Sequence, residues 1–470
     1  MTGGAPASRP VPLAVRATAI DGLLLIDLPV HGDNRGWFKE NWQREKMTAL
    51  GLPDFGPVQN NVSFNDATGT TRGIHAEPWD KYVAVAAGRI FGAWVDLRAG
   101  SGFGTVVTAE IGPDTAVFVP RGVGNAYQTL APATAYTYLV NAHWSPDASY
   151  TLLNLADPTL AIDWPIPLDR AEISAKDRGH PTLDAVEAIP PRRTLVLGAG
   201  GQLGSALRAA LPDADFRTRA DLDVTDPAAL GGVAWRDYDA IVNAAAYTAV
   251  DAAETDQGRA TAWRVNAHAV ATLARIATEH HLLLVHVSTD YVFDGSRTEH
   301  DEDEPFSPLG AYGQSKAAGD LAAASTPSHY VLRTSWVIGD GPNFVRTMAD
   351  LAQRGTNPGV VDDQYGRLTF AHVLADGIAH LIDTRPPHGT YNLTGGGPVT
   401  TWYDIAREVF RLLGHDPQRV HPVSTEEYRT GKDHVAARPR HSTLTLDKIQ
   451  NVGFEPTPVH DDLARYLQRR

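Results

Sequence analysis

Residues 194–204 read TLVLGAGGQLG, a short apolar run followed at once by closely spaced glycines. Gly198, Gly201 and Gly204 stand three residues apart, where a buried strand would turn into a helix. Positions without a side chain let the backbone approach a pyrophosphate, and the start of the helix offers free N–H groups and the positive end of its dipole. The stretch predicts the opening of a dinucleotide-binding α/β domain, although an ordinary tight turn would explain the glycines alone equally well.

The composition is typical of a globular protein with more than one domain. Its 470 residues exceed the roughly 100 to 200 of a usual domain, and 43% of them are hydrophobic. A net charge of −14 argues against nucleic-acid binding, which requires a basic surface. The absence of cysteine excludes disulfides, thiolate nucleophiles and thiolate metal ligands. No apolar run has the length of a signal peptide or a membrane span, so we expect a soluble, cytoplasmic protein.

A proline-bearing segment without sustained periodicity divides the chain and ends at Pro190 and Pro191. Before it, short β-rich runs such as KYVAVAAGRIFGAWVDL alternate with glycine and proline turn signals, a pattern typical of an antiparallel sandwich or barrel. After it, apolar strands alternate with alanine-rich helical stretches, which indicates a parallel sheet wrapped by helices. We predict an all-β domain over residues 1–185, a linker over 186–193 and an α/β domain over 194–470.

A second pattern in the α/β domain suggests proton transfer. One strand-like run ends in Ser288, Thr289 and Asp290, and the later stretch AYGQSK sets Tyr312 and Lys316 four residues apart, on one face of a helix. An ammonium beside a phenol favours the phenolate, so we expect Lys316 to lower the pKa of Tyr312. A hydroxyl of Ser288 or Thr289 would hold a carbonyl oxygen near that proton. An isolated pair of this spacing is usually a surface feature, but here it follows the glycine turn in a consistent order.

These motifs resemble the extended short-chain dehydrogenase/reductases, and GQLG, LDVTD, STDYVFDG, AYGQSK and GTYNLTGGG are similar to stretches of the dTDP-4-dehydrorhamnose reductases. The resemblance covers about residues 194–470 and implies reduction of the C4 ketone of a nucleotide-bound sugar. It also implies a Rossmann-type, doubly wound parallel sheet with a small substrate-binding subdomain. The implied catalytic residues are Thr289, Tyr312 and Lys316. The implied cofactor residues are Gly198, Gly201, Gln202, Leu203, Gly204, Asp223, Val224, Asn243, Ala244, Ala245, Tyr312 and Lys316, and the implied sugar-nucleotide contacts are Trp336 and Arg438.

The residues after the glycine turn bear on the choice between nicotinamide cofactors. The stretch DADFRTRADLD contains acidic residues, which suit the ribose diol of NADH, and also Arg217 and Arg219, which suit the 2′-phosphate of NADPH. The two arginines favour NADPH, with solvated surface charges as the alternative. Leu368 replaces the proline of the family's DQxGxPT motif. This difference affects the rigidity expected of a turn and not the residues expected to carry out the reaction.

The front of the chain carries HGDNRGWFKE at 31–40, VQNNVSF at 58–64, TTRGIHAEPWDKYVAV at 70–85 and VDLR at 95–98. FVPRGVGNAYQTL, YTYLV and ISAKD follow in the same order. Together these stretches resemble the dTDP-4-dehydrorhamnose 3,5-epimerases over roughly residues 18–185. The resemblance implies a cupin-like jelly roll.

Epimerisation beside a ketone requires a base on one face of the sugar, an acid on the other and a group that stabilises the enolate between them. His75 is the natural base, since histidine titrates near neutrality, and Lys81 can neutralise the enolate oxygen. The resemblance pairs His75 with Asp177 and makes Tyr138 the proton donor. It implies that the sugar nucleotide is held by Arg35, Gln59, Asn61, Arg72 and Asn125, the arginines binding the diphosphate in bidentate fashion.

Two positions depart from the epimerase pattern. Asn125 stands where the family usually has histidine, and Glu77 stands where it usually has glutamine. Neither belongs to the pair of His75 and Asp177. Both departures are expected to affect how the substrate binds and whether the configuration is inverted at one carbon or at two.

Two clusters invite a metal interpretation that we do not favour. Cupin-type folds often hold metals, but His75 stands alone among the expected pocket residues, and His31 and His143 lie outside any ligand-like spacing. We therefore expect no metal. The acidic run EHDEDEP at 299–305 is expected to form a solvated loop, because consecutive carboxylates repel one another.

The two resemblances together predict a bifunctional enzyme of dTDP-L-rhamnose biosynthesis. Its front domain would epimerise dTDP-4-dehydro-6-deoxyglucose at C3 and C5, and its back domain would reduce the C4 ketone with NADPH or NADH. We expect a dTDP-sugar substrate, no nucleic-acid or membrane partner, and a homodimer formed through the epimerase domain. The alternatives are a related deoxysugar of different stereochemistry, a regulatory nucleotide-binding protein without turnover, and a reductase whose front domain only binds sugar or dimerises. The retained catalytic sets argue against the last two.

Overall fold

The computed structural model describes residues 11–144, 148–432 and 434–468. The chain divides into two compact units, with the boundary between Pro191 and Arg192. Strand pairing is antiparallel in the first unit, and the main sheet of the second unit is parallel. The predicted order of an all-β domain followed by an α/β domain is therefore confirmed.

The first unit consists of two antiparallel sheets. Its described strands and α-helices are β1 (Ala14–Ala17), β2 (Leu24–Asp27), β3 (His31–Asp33), β4 (Gly36–Phe38), α1 (Arg44–Thr48), β5 (Gln59–Asn65), β6 (Thr71–Ala76), β7 (Lys81–Ala87), β8 (Ile90–Asp96), β9 (Val106–Ile111), β10 (Thr115–Val119), β11 (Val123–Thr129), β12 (Thr134–Val140), β13 (Thr151–Leu152) and α2 (Ala175–Arg178). One sheet has the order β1-β2-β10-β7-β12-β5, and the other has the order β13-β6-β11-β8-β9. This is the cupin-like arrangement that the sequence predicted.

Both sheets of the first unit contribute side chains to a shared apolar core. Val83 and Val117 come from the first sheet, and Ile90, Trp94 and Val123 come from the second. All five are buried. Since strand side chains alternate between faces, each strand that supplies the core also presents residues on its other face.

The edge strand β5 illustrates this alternation. Gln59, Asn61 and Ser63 are half-buried, whereas Val62 and Phe64 on the other face of the strand are exposed. β5 pairs only with β12 within its sheet. One face of the edge strand is therefore polar and partly enclosed, and the other is apolar and open.

The second unit alternates strands and helices. Its described elements are β14 (Arg193–Leu197), α3 (Gln202–Ala210), β15 (Asp215–Arg217), α4 (Pro227–Gly231), β16 (Tyr238–Asn243), α5 (Asp256–Trp263), α6 (Ala269–Glu279), β17 (Leu283–Thr289), α7 (Ala311–Ala324), β18 (His329–Thr334), β19 (Val337–Ile338), α8 (Phe344–Gln353), β20 (Gly359–Val361), β21 (Tyr365–Gly366), β22 (Thr369–Phe370), α9 (Ala371–Thr384), β23 (Gly389–Asn392), β24 (Thr400–Thr401), α10 (Trp402–Leu412), β25 (His421–Val423), α11 (Thr425–Arg429), α12 (Asp447–Asn451) and α13 (Val459–Gln468). The parallel sheet has the order β15-β14-β16-β17-β18-β23.

Helices cover both faces of this parallel sheet. Leu195 of β14 shares an apolar cluster with Val270 of α6, and the next residue, Val196, shares another with Leu207 of α3 and Ile378 of α9. Adjacent strand residues point to opposite faces, so the two clusters lie on opposite sides of the sheet. The doubly wound arrangement that the sequence predicted is therefore present.

A third apolar cluster in the second unit corresponds to the predicted small subdomain. It is formed by α8, β20, α10 and α13, which contribute Val345, Val360, Val409 and Leu463 among others. β20 pairs in parallel with β25, outside the main sheet. The C-terminal part of the chain thus has its own core.

The segment predicted as a linker carries structure at both ends. The Ile189 N–H donates to the Leu97 carbonyl at 2.7 Å, and the Ala99 N–H donates to the Ile189 carbonyl at 2.8 Å. Arg193 is already the first residue of β14. Among residues 11–144, 148–432 and 434–468, no helix is both long enough and apolar enough to cross a membrane. The expectation about a signal peptide concerns a stretch whose first ten residues lie outside the described ones.

The prediction of a solvated acidic loop at 299–305 is wrong for alternate residues. His300 is fully buried, and its ring Nδ1 lies 3.0 Å from a carboxylate oxygen of Glu304. Glu302 accepts a hydrogen bond of 2.9 Å from the Asn392 N–H. His300 pairs with Leu444 in an isolated bridge, and the turn that follows leaves Asp301 and Asp303 exposed while Glu302 and Glu304 are partly buried.

Candidate active sites

The first unit brings His75 and Asp177 together. His75 Nε2, on β6, lies 3.2 Å from Asp177 Oδ1, on α2. Ser174 caps this helix by accepting a hydrogen bond from the Asp177 N–H at 3.0 Å. The Gly73 N–H donates to Asp177 Oδ2 at 3.3 Å, so the carboxylate is oriented from both sides. A carboxylate held in this way fixes the orientation of the imidazole.

Burial determines the charge of the His75 ring. Removal from water lowers the pKa of His75, while the nearby Asp177 carboxylate opposes this effect and Lys81 adds to it. The neutral ring is therefore favoured, with one nitrogen able to accept a proton. The side chain is still 33% exposed, which leaves it reachable from solvent.

The expectation that the pocket histidine stands alone is wrong, because His180 lies beside the pair. Its ring centroid is 5.4 Å from that of His75, and its Nε2 is 3.7 Å from Asp177 Oδ1. His180 follows α2 directly and is only 7% exposed. Sequence reasoning missed it because only the fold of the segment after Asp177 turns its ring toward β6.

Lys81 and Tyr138 lie on the other sheet, on β7 and β12. The Lys81 ammonium is 5.2 Å from the centroid of the Tyr138 ring. Glu77 is also part of this group: its Oε1 lies 2.6 Å from Lys81 Nζ, and its other carboxylate oxygen accepts from the Trp79 indole. Glu77, which departs from the family pattern, thus forms an ion pair with the lysine that is expected to stabilise an enolate.

Electrostatics keep the Tyr138 phenol protonated. Burial and the Glu77 carboxylate raise the pKa of Tyr138 above its ordinary value, and Arg72 opposes them. Burial also lowers the pKa of Lys81, an effect that Glu77 counteracts. A neutral phenol beside an ammonium is able to donate a proton.

The residues expected to bind the sugar nucleotide fall into two groups. Gln59 donates to Asn61 Oδ1 at 2.9 Å on the inward face of β5, and the exposed Arg72 donates to Asn65 Oδ1 at 3.3 Å. Gln59, Asn61 and Asn65 lie on β5, the strand that pairs with β12, where Asn61 is opposite Tyr138. Arg35 is different, since it lies in the β3–β4 hairpin, pairs with Asp33 and has a side chain that is 84% exposed. Within one chain, Arg35 is not brought to the pair of His75 and Asp177.

Asn125 is buried directly opposite His75 in the pairing of β11 with β6. Its Oδ1 accepts from Trp94 Nε1 at 2.9 Å, and its Nδ2 donates to the Tyr136 hydroxyl at 3.0 Å. Both functional ends of the amide are satisfied within the protein. Asn125 therefore supports the floor of the site rather than presenting a free group to a ligand.

The glycine turn of the second unit has the geometry that the sequence predicted. Gly198 has φ +79°, and a Cβ on it would lie 2.5 Å from the Ala245 nitrogen. A Cβ on Gly204 would lie 2.4 Å from the Gly198 carbonyl oxygen. Neither position tolerates a side chain. Gly201 caps α3, so the first N–H groups of this helix open toward the ends of the strands.

A cleft of about 260 Å³ adjoins this turn. Six of the predicted cofactor residues line it: Gly198, Gly201, Asp223, Val224, Ala244 and Ala245. Leu203 and Gly204 are instead buried in the packing of α3. Gln202 accepts from the Gly339 N–H at 2.6 Å, and Asn243 accepts from the Ala245 N–H at 3.2 Å. These four residues shape the cleft without lining it.

The two arginines considered for cofactor choice differ in position. Arg219 lines the cleft and lies 3.2 Å from Asp223 Oδ2. Arg217 pairs with Asp215 at 2.9 Å and is not among the residues that line the cleft. Arg219 is thus the cation available to a ligand bound there.

Tyr312, Lys316 and Thr289 meet at the end of β17. Tyr312 and Lys316 are on α7 and are 8% and 2% exposed. The Thr289 side chain hydrogen-bonds to the Tyr312 phenol, whereas Ser288 lies against the buried Asp320. Of the two hydroxyls considered from the sequence, Thr289 is the one beside the tyrosine.

The expected lowering of the Tyr312 pKa is wrong for this structure. Burial raises that pKa well above its ordinary value, and the hydrogen bond from Thr289 only partly opposes the rise. The Lys316 ammonium donates to the Val287 carbonyl at 2.6 Å, and burial lowers the pKa of Lys316 to about 8. Removal from water is the largest influence on the Tyr312 pKa, and the Asp290 and Asp320 carboxylates add to the rise, so the phenol is held in its proton-donating form.

A buried network beneath Lys316 was not predicted. His286 Nε2 lies 3.4 Å from Lys316 Nζ, and His286 Nδ1 lies 3.2 Å from Asn243 Nδ2. His286 is fully buried, which lowers its pKa well below the ordinary value and keeps its ring neutral. The sequence did contain a signal for this network, because His286 is a polar residue within the otherwise apolar run LLVHV.

The residues expected to contact the sugar nucleotide lie at a second cavity, of about 330 Å³. Arg438 lines it and is fixed by a hydrogen bond of 3.0 Å to Asp251 Oδ2. Trp402 also lines it, with Trp336 stacked behind at a centroid distance of 3.9 Å. Tyr291 connects this cavity to Tyr312, since their rings are 5.7 Å apart. The sequence pointed to Arg438 but not to Trp402.

Each unit matches a family of known proteins. Residues 192–470 match the family described as the RmlD substrate binding domain, and residues 17–185 match the family described as dTDP-4-dehydrorhamnose 3,5-epimerase. The chain belongs to these two families. It joins an epimerase-family (RmlC) domain to an RmlD-family reductase domain, as the resemblances in its sequence implied.

Relatives of both units are found among characterised and solved proteins. The protein named RmlC homolog of Streptococcus pyogenes serotype M6 is 49% identical over 189 residues, which are 38% of this chain and 95% of that protein. A probable dTDP-4,6-dihydroxy-2-methyloxan-3-one 4-ketoreductase of Streptomyces antibioticus is 42% identical over 273 residues, 56% of this chain and 90% of that protein. The crystal structure of a dTDP-4-dehydrorhamnose reductase from Bacillus anthracis str. Ames in complex with NADP is 32% identical, with a TM-score of 0.55, and covers 59% of this chain and 99% of that chain. The RmlC–RmlD fusion is thus built from enzymes of dTDP-deoxysugar biosynthesis.

Proposed function

We propose that this chain converts dTDP-4-dehydro-6-deoxyglucose to dTDP-L-rhamnose, with 3,5-epimerisation over residues 1–185 and reduction over residues 194–470. The main observation in support of this proposal is that each unit contains a complete set of groups for proton transfer. The epimerase domain combines the His75–Asp177 pair with Lys81 and Tyr138 on the facing sheet, and the reductase domain combines Tyr312, Thr289 and Lys316. The two reactions follow one another, because the ketone that makes epimerisation feasible is the group that is then reduced.

In the epimerase domain, His75 accepts a proton from a carbon beside the ketone, and Asp177 stabilises the imidazolium that results. Lys81 stabilises the negative charge that develops on the ketone oxygen. Tyr138 delivers a proton to the other face of the carbon, which inverts its configuration. The location of His75 and Tyr138 on opposing sheets supports this two-sided transfer.

In the reductase domain, the cleft beside the glycine turn fits a dinucleotide. Gly198 and Gly204 leave no space for a Cβ, which is the feature expected where a backbone cradles a pyrophosphate. A reduced nicotinamide supplies a hydride when bound. The NADP complex of the Bacillus anthracis relative and the position of Arg219 support NADPH as the cofactor.

Tyr312 donates its proton to the C4 oxygen as that oxygen gains negative charge, and Thr289 holds the oxygen by a hydrogen bond. Lys316 supplies a positive charge close to the phenol, and its bond to the Val287 carbonyl fixes its position. The Arg438 guanidinium at the adjoining cavity is suited to the diphosphate of a dTDP-sugar.

A related deoxysugar of different stereochemistry is the second candidate. It is favoured by the 42% identity to a ketoreductase from Streptomyces antibioticus, whose name gives a different substrate. Incubation of the full chain with dTDP-4-dehydro-6-deoxyglucose and NADPH in deuterated water, followed by NMR of the product, separates the candidates. We expect dTDP-L-rhamnose with deuterium at C3 and C5. Deuterium at one carbon only, or a product with another configuration at C4, would favour the second candidate.

The epimerase domain also has features that support a homodimer. The edge strand β5 exposes Val62 and Phe64, with exposed fractions of 67% and 57%. The β3–β4 hairpin exposes Trp37 and Phe38, with exposed fractions of 48% and 66%. Clusters of exposed apolar side chains on a sheet edge usually mark a protein interface. We propose that a second copy of this chain covers them.

Replacement of Phe64 by aspartate is expected to shift the protein from dimer to monomer, because a carboxylate would be buried without a partner at the interface. Sedimentation velocity over a range of concentrations measures the shift. Leu321→Asp, which changes a residue of the reductase domain that is 63% exposed, is the matched control and should leave the dimer intact. Equal sedimentation of wild type and Phe64→Asp would contradict an interface on β5.

A further inference from the structure

Three ligating side chains converge in the epimerase domain at His75, Asp177 and His180. Each can offer one atom such that the three atoms all lie within 4.8 Å of one another. Asp177 Oδ1 is 3.2 Å from His75 Nε2 and 3.7 Å from His180 Nε2. Among residues 11–144, 148–432 and 434–468, no other group of three such side chains is this close.

These spacings match those of zinc ligands. Zn–N and Zn–O bonds of about 2.0 to 2.2 Å at tetrahedral angles place neighbouring ligand atoms about 3.3 to 3.5 Å apart. The two measured separations of 3.2 and 3.7 Å bracket this range, so an ion requires only small side-chain movements. Two imidazoles and one carboxylate are also a common ligand set of zinc sites that retain an open position.

A second observation points to a ligand at the same place. His180 is 7% exposed, and neither of its ring nitrogens has a hydrogen-bond partner among the described residues. A buried imidazole without partners carries an uncompensated cost of desolvation. A metal ion bonded to Nε2 would satisfy one of these nitrogens directly.

The surroundings of the three side chains suit an ion as well. Asp177 receives hydrogen bonds from the Gly73 N–H on Oδ2 and, through its own N–H, is tied to Ser174 Oγ. Such supporting bonds orient the carboxylate so that Oδ1 faces both histidines. His75 is 33% exposed, which gives an ion a path of entry and leaves the fourth position to water.

We propose that His75, Asp177 and His180 form a binding site for a four-coordinate divalent metal of the zinc type, and that zinc bound there inhibits the epimerase. The ion replaces the proton through which His75 Nε2 bonds to Asp177, so the neutral ring keeps its one proton on Nδ1, the nitrogen that would otherwise accept a proton from the sugar. Epimerisation itself uses no metal, and bound zinc converts the base into a ligand. The inhibition rests on the proposed function of His75, whereas binding of the ion does not.

Binding is tested with Co²⁺, a spectroscopic substitute for zinc, added to the full chain after treatment with EDTA. We expect the intense visible absorption of four-coordinate Co²⁺ with one ion per chain, displaced by one equivalent of Zn²⁺. His180→Leu and His180→Gln should each weaken zinc binding by at least about 100-fold, since each removes a ligand. His143→Leu, which removes an exposed histidine of the same domain, should have no effect. Thermal unfolding of both His180 variants shows whether either one has a folding defect. If one does, the other still tests the loss of the ligand.

Inhibition is tested by following deuterium incorporation into the 4-keto sugar at increasing Zn²⁺. We expect epimerisation by the wild type to be lost at one bound ion and restored by EDTA, and epimerisation by His180→Gln to persist. Reduction of sugar that has already been epimerised serves as the internal control and should be unaffected.

Unchanged zinc affinity in both His180 variants, or equal inhibition of epimerisation and reduction, would overturn the proposal. The protein could bind four-coordinate Co²⁺ and yet show no epimerase activity when it is free of metal. That result would support the metal site and refute the proposed function.

Discussion

Tyr312→Phe is expected to lower the rate of ketone reduction by about 10³-fold or more, since general acid catalysis contributes about 10² to 10⁴-fold and the variant has lost the proposed acid. The substitution keeps the aromatic ring, which lies 5.7 Å from the Tyr291 ring, and removes only the proton donor. Burial already holds the phenol in its protonated form, so the loss is that of an acid and not of a charge. Oxidation of NADPH with pre-epimerised sugar measures the effect.

Tyr330→Phe is the matched control for this variant. Tyr330 lies in β18 of the same unit and donates its hydroxyl proton to the Pro386 carbonyl at 2.6 Å. Its loss should cost about 1 kcal/mol of unfolding free energy and leave reduction unchanged. NADPH binding should be retained in both variants. Reduction by Tyr312→Phe at more than about a tenth of the wild-type rate would show that another group supplies the proton.

His75→Ala is expected to reduce deuterium incorporation at C3 and C5 by about 10³-fold or more, because the variant has lost the partly exposed base that hydrogen-bonds to Asp177. The same variant should reduce pre-epimerised sugar at the wild-type rate, since Tyr312 and Lys316 belong to the other unit. With unepimerised sugar, consumption of NADPH should stop. The two assays on one protein separate loss of the base from general misfolding.

His143→Ala provides the control for His75→Ala. It removes an exposed histidine from the same domain and should leave both assays unchanged. Thermal unfolding of the two variants should coincide to within a few degrees, because His75 is partly exposed and its replacement opens little apolar volume. Normal consumption of NADPH by His75→Ala from unepimerised sugar would contradict the role of the front domain as the epimerase.

Local patterns in the sequence were sufficient for features that depend on short spacings. At Gly198 and Gly204 a neighbour excludes a Cβ, and Gly201 caps the start of α3, as their position between strand and helix predicted. Tyr312 and Lys316 share one face of α7 because residues four apart lie one turn apart. The alternation in β5 likewise separates Gln59 and Asn61 from Val62.

Family resemblance added long-range pairs that no local pattern contains. Asp177 lies 102 positions after His75, and their contact follows from the likeness of ISAKD to the epimerases and not from spacing. The same likeness placed Arg35 among the site residues, whereas within a single chain its hairpin carries it to the surface. A motif can indicate that a residue belongs to a site, but it does not show how the chain folds to bring that residue there.

The amino-acid sequence by itself determined the two-domain order, the cupin-like and doubly wound folds and the glycine turn, and it supplied the residues that we propose for proton transfer. Only the tertiary structure showed His180 beside His75 and Asp177, Glu77 beside Lys81, and the inward-facing residues of the acidic run. It also decided that burial raises the pKa of Tyr312. Periodicity and motifs report which residues share one element, whereas desolvation and contacts between elements arise from packing of segments distant along the chain.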